Sequence, residues 1–476
     1  MDYRNLIAGG WVATGAGTPN VNPSDISDIL GHAAQAGATQ LDGAIAAAHD
    51  AAPGWAVSTP QQRFDVLDFI GSELLARRDE LGHLLAREEG KTLPEGIGEV
   101  ARAGQIFKFF AGEALRQAGD ILPSVRPGVG VEVTRSPVGV VGLITPWNFP
   151  IAIPAWKVAP ALAHGNAVVL KPAELVPGCA HALAEIISRS GLPAGVFNLM
   201  LGRGSQLGPQ LIADPRVNAI SFTGSEPTGR GIAAECGARL KKVQLEMGGK
   251  NPMVVLDDAD LDVAVEVCLN GAFFSTGQRC TASSRLIVTE GIHDRFVAAL
   301  TKRMRALSVG HALEAGMQVG PVVDAHQLDQ NQDYLRIARA EGGEVIGGER
   351  LARATEGFFM APALVTDTTN DMRINREEVF GPVASVIRVA DYDEALAVAN
   401  DTEFGLSAGI CTQSLKHATH FKANAQAGMV MVNLPTAGVD YHVPFGGTKG
   451  SSYGPREQGR HAAEFYTTVK TAYTGA

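Results

Sequence analysis

An alternation of short apolar runs with helical stretches fills most of the chain and limits the folds open to it. The apolar runs of the first block cover residues 138–144, 167–170, 196–201, 219–222 and 243–245. Helical stretches between these runs start near Ile151, Pro177, Ser205 and Glu226. A second alternating block runs from Pro252 to about Asn433. Because strands that are apolar throughout and separated by helices are typical of parallel βαβ units, we predict an α/β fold with two doubly wound parallel sheets.

The segments around these blocks have other patterns. Residues 1–40 are rich in Gly, Ala and Asp with little periodicity, and predict an irregular arm with short strands. From Leu41 to about Gln117, apolar residues recur at three- and four-residue spacing, which predicts helices. Two β-prone runs within 121–137 predict a protruding hairpin. The chain has 476 residues, too many for one ordinary core, so we expect two or three domains.

Composition and charge exclude several classes of function. The formal net charge is -10 and the pI is near 5.7, which argues against nucleic acid and anionic membrane as partners. The five cysteines are scattered without metal-ligand spacing, which predicts a reducing compartment, no disulfide framework and no bound metal. The first residues lack the pattern of a signal peptide, and no apolar run reaches about 18 residues, so we predict a cytoplasmic protein.

Small residues, amides, a cation and a thiol crowd together around Cys280, in the stretch 273–285. Small neighbours let other groups approach the sulfur, and Arg279 beside it favours the thiolate, which is the nucleophilic form. Such help is needed because the unperturbed pKa of cysteine is near ~8.5. The alternative is a buried, inert cysteine.

Two further stretches carry candidate catalytic groups. Glu246 stands between apolar residues and a Gly-Gly turn, where a half-buried carboxyl with a raised pKa would suit a general base. Asn148 lies in a turn bracketed by prolines, and its amide could stabilise an oxyanion. The alternatives are a glutamate that only ends a strand and an asparagine that only satisfies the backbone of its turn.

The motifs PWNFP, LEMGGKNP and GQRC, in that order and at family-like separations, resemble the NAD(P)-dependent aldehyde dehydrogenase superfamily over essentially the whole chain. The resemblance implies that Cys280 attacks the aldehyde and that Asn148 and the Cys280 backbone N–H hold the oxyanion. Glu246 would then activate the water that hydrolyses the thioester. Members that transfer the acyl group to coenzyme A typically lack this base, so Glu246 favours the hydrolytic type.

The same resemblance implies a domain organisation. Residues 1–120 and 138–247 would form the cofactor-binding domain and residues 248–435 the catalytic domain. Residues 121–137 and 455–476 would form a β arm for oligomerisation, in which the tail pairs with the hairpin of its own or a neighbouring subunit. We therefore expect a homodimer or homotetramer.

Several motifs point to the cofactor site. Lys171 and Glu174 follow a strand and could bind ribose hydroxyls, since ligands of open α/β sheets sit beyond the carboxyl ends of the strands. A surface ion pair is the alternative. Ser225 lies where a helix begins and could receive a phosphate, whereas GRGSQLG at 202–208 departs from the usual dinucleotide spacing. With the positions that the family resemblance adds, the predicted cofactor-binding residues are Ile144, Thr145, Pro146, Trp147, Lys171, Ala173, Glu174, Gly204, Gly208, Phe222, Thr223, Gly224, Ser225, Thr228, Met247, Gly248, Glu378 and Phe380.

The choice between NAD and NADP depends on two residues that favour different groups at the 2′ position of the ribose. An acid at Glu174 would bind a free 2′-hydroxyl and repel a 2′-phosphate, whereas Lys171 would attract the phosphate. We expect NAD, with NADP possible.

Substrate preference depends on a few side chains. Arg279 could pair with the carboxylate of an anionic substrate, or it could only support its own loop. The stretch GVDYHVPFGGTKGSSYGPREQG, with GQRCTASSR, resembles the α-ketoglutaric semialdehyde (2,5-dioxopentanoate) dehydrogenases of sugar-acid breakdown. Phe149, Trp156 and Phe445 align with family positions that line the aldehyde tunnel, and core packing is the alternative role. Succinate or glutarate semialdehyde is the alternative substrate, and a catalytically silent binding protein of the same fold is the remote alternative.

Overall fold

The computed structural model describes residues 2–15 and 17–475. Five short strands and four helices come first. They are β1 (Asp2–Tyr3), β2 (Asn5–Ile7), β3 (Gly10–Val12), β4 (Thr18–Asn22), β5 (Asp25–Ala33), α1 (Ala38–Ala56), α2 (Pro60–Ala76), α3 (Arg78–Glu89) and α4 (Leu93–Ala114). The predicted helical region is confirmed, and Val100, Phe107 and Phe110 of α4 are fully buried in its core.

The predicted short strands near the start of the chain are present, but they belong to two sheets. β1, β5 and β4 form a small sheet, while β2 and β3 extend the edge of a large sheet through the pairing of Leu6 with Leu199. The β2–β3 and β4–β5 pairs are local, whereas β2 reaches the large sheet through a partner far along the chain, which local periodicity does not show.

The first alternating block forms the core of an eight-stranded sheet. It follows the two strands of the hairpin, β6 (Asp120–Pro123) and β7 (Val129–Pro137). The elements of the block are β8 (Val140–Ile144), α5 (Ala152–Ala163), β9 (Ala167–Lys171), α6 (Pro177–Ser188), β10 (Phe197–Leu199), α7 (Gly204–Ala213), β11 (Ala219–Thr223), α8 (Glu226–Ala238) and β12 (Lys242–Glu246). Strands β8 to β12 are parallel, and lie in the spatial order β12-β11-β8-β9-β10. The strand order therefore reverses between β8 and β11.

The second block forms a seven-stranded sheet. Its elements are β13 (Asn251–Val255), α9 (Leu261–Phe273), β14 (Ser283–Thr289), α10 (Glu290–Arg305), α11 (Ala325–Ala340), β15 (Glu344–Gly347), β16 (Ala363–Thr368), α12 (Arg373–Arg376), β17 (Val383–Val389), α13 (Tyr392–Asn400), β18 (Phe404–Gly405), β19 (Ser407–Cys411), α14 (Leu415–Asn424) and β20 (Met429–Val432). The sheet has the order β15-β16-β17-β14-β13-β19-β20, in which only β15 is antiparallel to its neighbour. The α/β fold with two parallel sheets is confirmed.

After the second sheet the chain returns to the first one. The last elements are β21 (Thr448–Lys449), β22 (Ser452–Tyr453), α15 (Ala463–Tyr466) and β23 (Thr467–Gly475). β22 pairs with β12 and completes the first sheet, and Phe465 and Tyr466 of α15 are buried in the first core.

A separate three-stranded sheet forms the arm. β23 pairs along nine residues with β7 of the same chain, and β7 pairs with β6. The predicted hairpin at 121–137 is thus present, with β23 as its third strand. None of the helices within the described residues is both long and apolar enough to span a bilayer.

Candidate active site

The predicted cofactor residues lie at the carboxyl edge of the first sheet, where the strand order reverses. Ile144 ends β8, Thr223 ends β11, and Met247 follows the end of β12. In open α/β sheets a crevice forms at such a reversal, because the connections on its two sides run to opposite faces. The strand order therefore predicts a ligand-binding groove beside these residues.

Unpartnered polar groups at this edge fit a bound dinucleotide. The hydroxyl oxygens of Thr145 and Thr223 are buried and have no hydrogen-bond partner among the described residues. Buried polar groups are normally bonded, so each requires an acceptor or donor from a ligand or water. Ser225 precedes the first residue of α8, whose N-terminal N–H groups are suited to a phosphate. The residues present therefore fit the cofactor that the resemblance implies.

The residues predicted to select the ribose are close to one another. Lys171 Nζ lies 3.9 Å from Glu174 Oε1, which also accepts a 2.8 Å hydrogen bond from the Gly204 N–H. Lys171 is buried, and this burial lowers its pKa, while Glu174 is largely exposed. Gly208 lies one turn further along α7, within regular helix and not in a turn.

Glu378 and Phe380 approach the same groove from the second domain. Glu378 Oε1 accepts a 2.9 Å hydrogen bond from the Gly249 N–H, and a methyl group on Gly248 would come within 2.1 Å of Glu378 Oε2. Desolvation raises the pKa of Glu378 to about 7. Phe380 has a left-handed backbone with φ 62°, and its ring meets that of Trp147 edge-on at 5.4 Å between centroids.

The loop that carries Cys280 has an unusual backbone. Ser275, Thr276 and Gly277 are left-handed, with φ of 51°, 55° and 64°. Such φ values are costly for residues with a side chain, so neighbours must hold the loop in place. Ser275 donates its N–H and hydroxyl to Glu95 Oε1, at 2.8 and 3.0 Å, and Gln278 Oε1 accepts a 3.0 Å bond from the Val323 N–H.

Asn148 contacts the loop that carries Cys280. Asn148 Nδ2 donates to the carbonyl of Gln278 at 3.1 Å, and the Cys280 carbonyl accepts a 2.8 Å bond from Asn251 Nδ2. Lys91, buried beside Glu99, donates to the Asn148 carbonyl. The amide of Asn148 is therefore fixed beside the cysteine loop, as its predicted role requires.

The ionisation of Cys280 differs from the sequence-based expectation. Burial raises the pKa of the thiol to about 12, and the neighbouring carboxyls Glu378 and Glu246 raise it further. The N–H groups of Cys280 and Thr281 oppose this rise. Burial and the two carboxyls outweigh the charge of Arg279, which the sequence predicted would favour the thiolate, so the pKa of the thiol lies above its usual range.

Glu246 ends β12 in a buried, densely bonded setting. Its partner across the strand pair is Ser452 of β22, whose hydroxyl donates to Glu246 Oε2. Burial raises the pKa of Glu246 well above its usual range, and the charge of Glu457 adds to this rise. A carboxyl with a raised pKa can accept a proton near neutral pH, which is the chemistry of a general base.

A buried ion pair that sequence reasoning missed lies behind Glu246. Lys157 Nζ contacts the carboxylate of Glu457 and donates to Ser221 Oγ at 2.7 Å. Both charged side chains are buried, with exposures of 0% and 2%. A signal was present, since Lys157 is the one cation in the apolar helix α5 and a buried cation requires a partner.

The predicted substrate residues line one cleft of about 370 Å³ beside Cys280. Trp156 and Phe445 lie with ring centroids 5.4 Å apart, and the ring of Phe149 lies 3.8 Å from Lys91 Nζ. Arg279 belongs to the wall as well, and its guanidinium donates to the Asn270 carbonyl. Arg102 of α4 is a further cation in this wall, which sequence reasoning missed.

Comparison with known proteins agrees with this arrangement. The aldehyde dehydrogenase family matches residues 11–472. An alpha-ketoglutaric semialdehyde dehydrogenase of Bacillus subtilis is 43% identical, over 99% of this chain and 98% of the relative. An alpha-ketoglutarate semialdehyde dehydrogenase of Haloferax volcanii is also 43% identical, with the same coverage. The crystal structure of a betaine aldehyde dehydrogenase from Staphylococcus aureus in complex with NAD+ superposes with a TM-score of 0.97, at 33% identity over 99% of this chain and 95% of that one. The chain belongs to the aldehyde dehydrogenase family.

Proposed function

We propose that this enzyme oxidises 2,5-dioxopentanoate to 2-oxoglutarate with NAD(P), through a thioester on Cys280 that water hydrolyses. The observation that carries the proposal is the single cleft that joins Cys280 to two arginines and to the aromatic wall of Trp156 and Phe445. Two relatives that are 43% identical over nearly the whole chain carry the name of this activity.

In the first step the Cys280 sulfur adds to the aldehyde carbon. The thiol loses its proton to solvent on the way, and the backbone N–H groups of Cys280 and Thr281 favour the resulting thiolate. The oxyanion that forms accepts hydrogen bonds from the Asn148 amide and the Cys280 N–H. When bound, NAD(P) supplies the acceptor for the hydride of the former aldehyde carbon, which leaves a thioester on the sulfur.

In the second step Glu246 takes a proton from water, which attacks the thioester carbon and releases a carboxylate and the Cys280 thiol. Ser452 holds the Glu246 carboxyl in place, and the Lys157–Glu457 pair lies behind it. The cofactor would be held by the groove of Thr145, Thr223 and Ser225 on one side and by Glu378 on the other. Glu174 favours NAD over NADP in this proposal.

The substrate is tested by initial rates of NAD and NADP reduction with matched aldehydes. The panel contains 2,5-dioxopentanoate, succinate semialdehyde, glutarate semialdehyde and a neutral aldehyde of similar length. We expect the highest kcat/KM with 2,5-dioxopentanoate. A neutral aldehyde that matches the acids would refute the substrate assignment, and another semialdehyde at the head of the ranking would replace it.

The roles of Cys280 and Glu246 are tested by rapid mixing. Glu246→Gln should give a burst of reduced cofactor close to one per active site, followed by almost no turnover, because the thioester forms and persists. Cys280→Ala should give neither burst nor turnover. Steady turnover without a burst in Glu246→Gln would remove Glu246 from the deacylation step.

We further propose that the arm joins subunits in a homodimer or homotetramer. Ile121, Val125 and Tyr473 of the arm are 86%, 101% and 61% exposed, which is costly for apolar side chains in an isolated chain. Ile121→Asp should lower the molar mass measured by light scattering, and an unchanged mass would exclude this strand from the interface.

A cytoplasmic location stays a prediction, which the five free cysteines support.

A further inference from the structure

We propose that Arg102 of helix α4 is a specificity-determining residue, which binds the 2-oxo-carboxylate end of the substrate together with Arg279. This inference rests on the proposed function and names the subsite that recognises the end of the substrate opposite the aldehyde.

The cleft contains two cations that carboxylates influence only from beyond salt-bridge distance, namely Arg279 by Glu95 and Arg102 by Glu99 and Asp440. Neither Arg102 nor Arg279 forms an ion pair with any acid of the described residues. Arg102 makes one long contact of 3.4 Å with Gln458 Oε1, and Arg279 donates only to the Asn270 carbonyl. A guanidinium in a partly buried wall is ordinarily paired, so these two are available to an anion.

The acids of the same wall are already bound to other groups. Glu99 accepts from Lys91 at 2.8 Å and from the N–H groups of Ile151 and Ala152 at 3.0 and 3.1 Å. Glu95 caps the start of α4 through Thr92 and holds Ser275 of the cysteine loop. Neither acid can form a salt bridge with an arginine without giving up these bonds, so both arginines in the wall of the cleft lack a salt-bridge partner.

Two guanidinium groups can supply donors to all the acceptors of a 2-oxo acid. Each has five N–H donors, and the only hydrogen bonds that they make within the described residues are those to Gln458 Oε1 and to the Asn270 carbonyl. A 2-oxo-carboxylate offers three oxygens at one end of the molecule, whereas a simple carboxylate offers two. The set therefore favours 2,5-dioxopentanoate over glutarate semialdehyde, which has the same length but lacks the ketone.

The two arginines also lie within reach of the reacting centre. Both arginines and Cys280 line the same cleft, and Arg102 lies 5.7 Å from the ring centroid of Trp156. A substrate of five carbons held at its acid end by these groups would extend its aldehyde toward the sulfur along the Trp156 wall.

The test compares Arg102→Gln with the unchanged enzyme on three five-carbon aldehydes. They are 2,5-dioxopentanoate, 5-oxopentanoate (glutarate semialdehyde) and pentanal. Losing one partner of a desolvated charge pair should lower kcat/KM for 2,5-dioxopentanoate by about 100-fold and for 5-oxopentanoate by about 10-fold. Pentanal should change by less than about threefold, since it lacks the group that Arg102 binds. Arg336→Gln, at a largely exposed arginine of α11, is the matched control and should leave all three rates unchanged.

The possible failures are distinguishable. If the enzyme without substitutions shows no preference for the acids over pentanal, the proposed function is overturned. A preference that survives in Arg102→Gln would overturn the role of Arg102 alone, as would an equal loss for all three aldehydes in a variant with an unchanged melting temperature. If Arg102→Gln does not fold, Arg102→Lys decides, because it keeps the charge but not the fork. Arg102→Lys should then lower the ratio of kcat/KM for 2,5-dioxopentanoate to kcat/KM for 5-oxopentanoate. An unchanged ratio would refute the proposal.

Discussion

The backbone of Gly446 lies against the carboxyl of Glu246, so closely that a methyl group on Gly446 would come within 2.6 Å of Glu246 Oε1. Gly446 has φ 145°, a backbone conformation that favours glycine. With Ser452 on the opposite oxygen, the carboxyl is held from two sides by segments that follow the second sheet. The position of the proposed base therefore depends on a residue without a side chain.

Replacing Gly446 by alanine should separate the two halves of the reaction. The added methyl group would displace Glu246, so water activation should fail while the Cys280 sulfur remains. We expect Gly446→Ala to keep a burst of reduced cofactor but to lose at least about 100-fold in steady turnover, as general base catalysis typically contributes 10²–10⁴-fold. Gly43→Ala, in helix α1 with nothing near the added atom, is the control and should turn over normally. Normal turnover in Gly446→Ala would show that the carboxyl is not constrained there.

Breaking the buried Lys157–Glu457 pair should change both stability and pH dependence. The charge of Glu457 raises the pKa of Glu246, so Glu457→Gln should lower that pKa. The base is active when deprotonated, so the acidic limb of the kcat profile should move to lower pH. The unpaired Lys157 should also cost about 3–5 kcal/mol in the free energy of unfolding. Glu464→Gln, at an exposed acid, is the control and should change neither the pH profile nor the free energy of unfolding. An acidic limb that does not move in Glu457→Gln would show that the charge of Glu457 does not affect the pKa of Glu246.

The thiol of Cys280 should titrate far above neutral pH in the enzyme without cofactor. Burial and two carboxyls raise its pKa to about 12, so the alkylation rate with iodoacetamide should still be rising at pH 10. Glu378→Gln removes one of the raising charges and should move the profile to lower pH. Glu377→Gln, at the neighbouring acid that pairs with Arg373, should not. An alkylation midpoint near 7 in the unchanged enzyme would contradict the buried neutral thiol.

Loss of the Asn148 amide should weaken the oxyanion site without abolishing activity. Removing one such donor typically costs about 10²–10³ in kcat, so Asn148→Ala should be slow but measurable. Asn148→Asp keeps the volume but puts a negative group beside the oxyanion, and should be slower than Asn148→Ala. Rates in Asn148→Ala equal to those of the unchanged enzyme would remove the amide from the mechanism.

The strands of both sheets could be predicted because their signal is local. The apolar run at 219–222 and the strand Ala219–Thr223 differ by one residue, since a strand buried on both faces is apolar along its whole length. Three motifs likewise predicted Cys280, Glu246 and Asn148 as one catalytic site, and their roles stay predictions.

The features that the sequence did not reveal depend on contacts between residues that are far apart in the chain. Lys157 and Glu457 are 300 positions apart, so no spacing rule links them. The Arg279 side chain turns to the Asn270 carbonyl, and burial with two carboxyls that are distant in sequence raises the pKa of the thiol, where the sequence alone predicted a thiolate favoured by Arg279. The sequence around Arg102 predicts only an amphipathic helix. Arg102 lines the cleft because α4 packs against the cysteine loop, and this packing cannot be predicted from local sequence.

The return of the chain to the first sheet has a consequence for the order of folding. Glu246 and Ser452 are 206 residues apart, and the whole second sheet lies between them. Closing so long a loop carries an entropic cost that must be met before the contact forms, so pairing of β22 with β12 should be a late event. A partly folded chain would then hold a cysteine but no positioned base. Reactivity toward aldehydes and completion of the fold are in this way tied to the same few residues, and turnover regained during refolding should lag behind the recovery of helical structure.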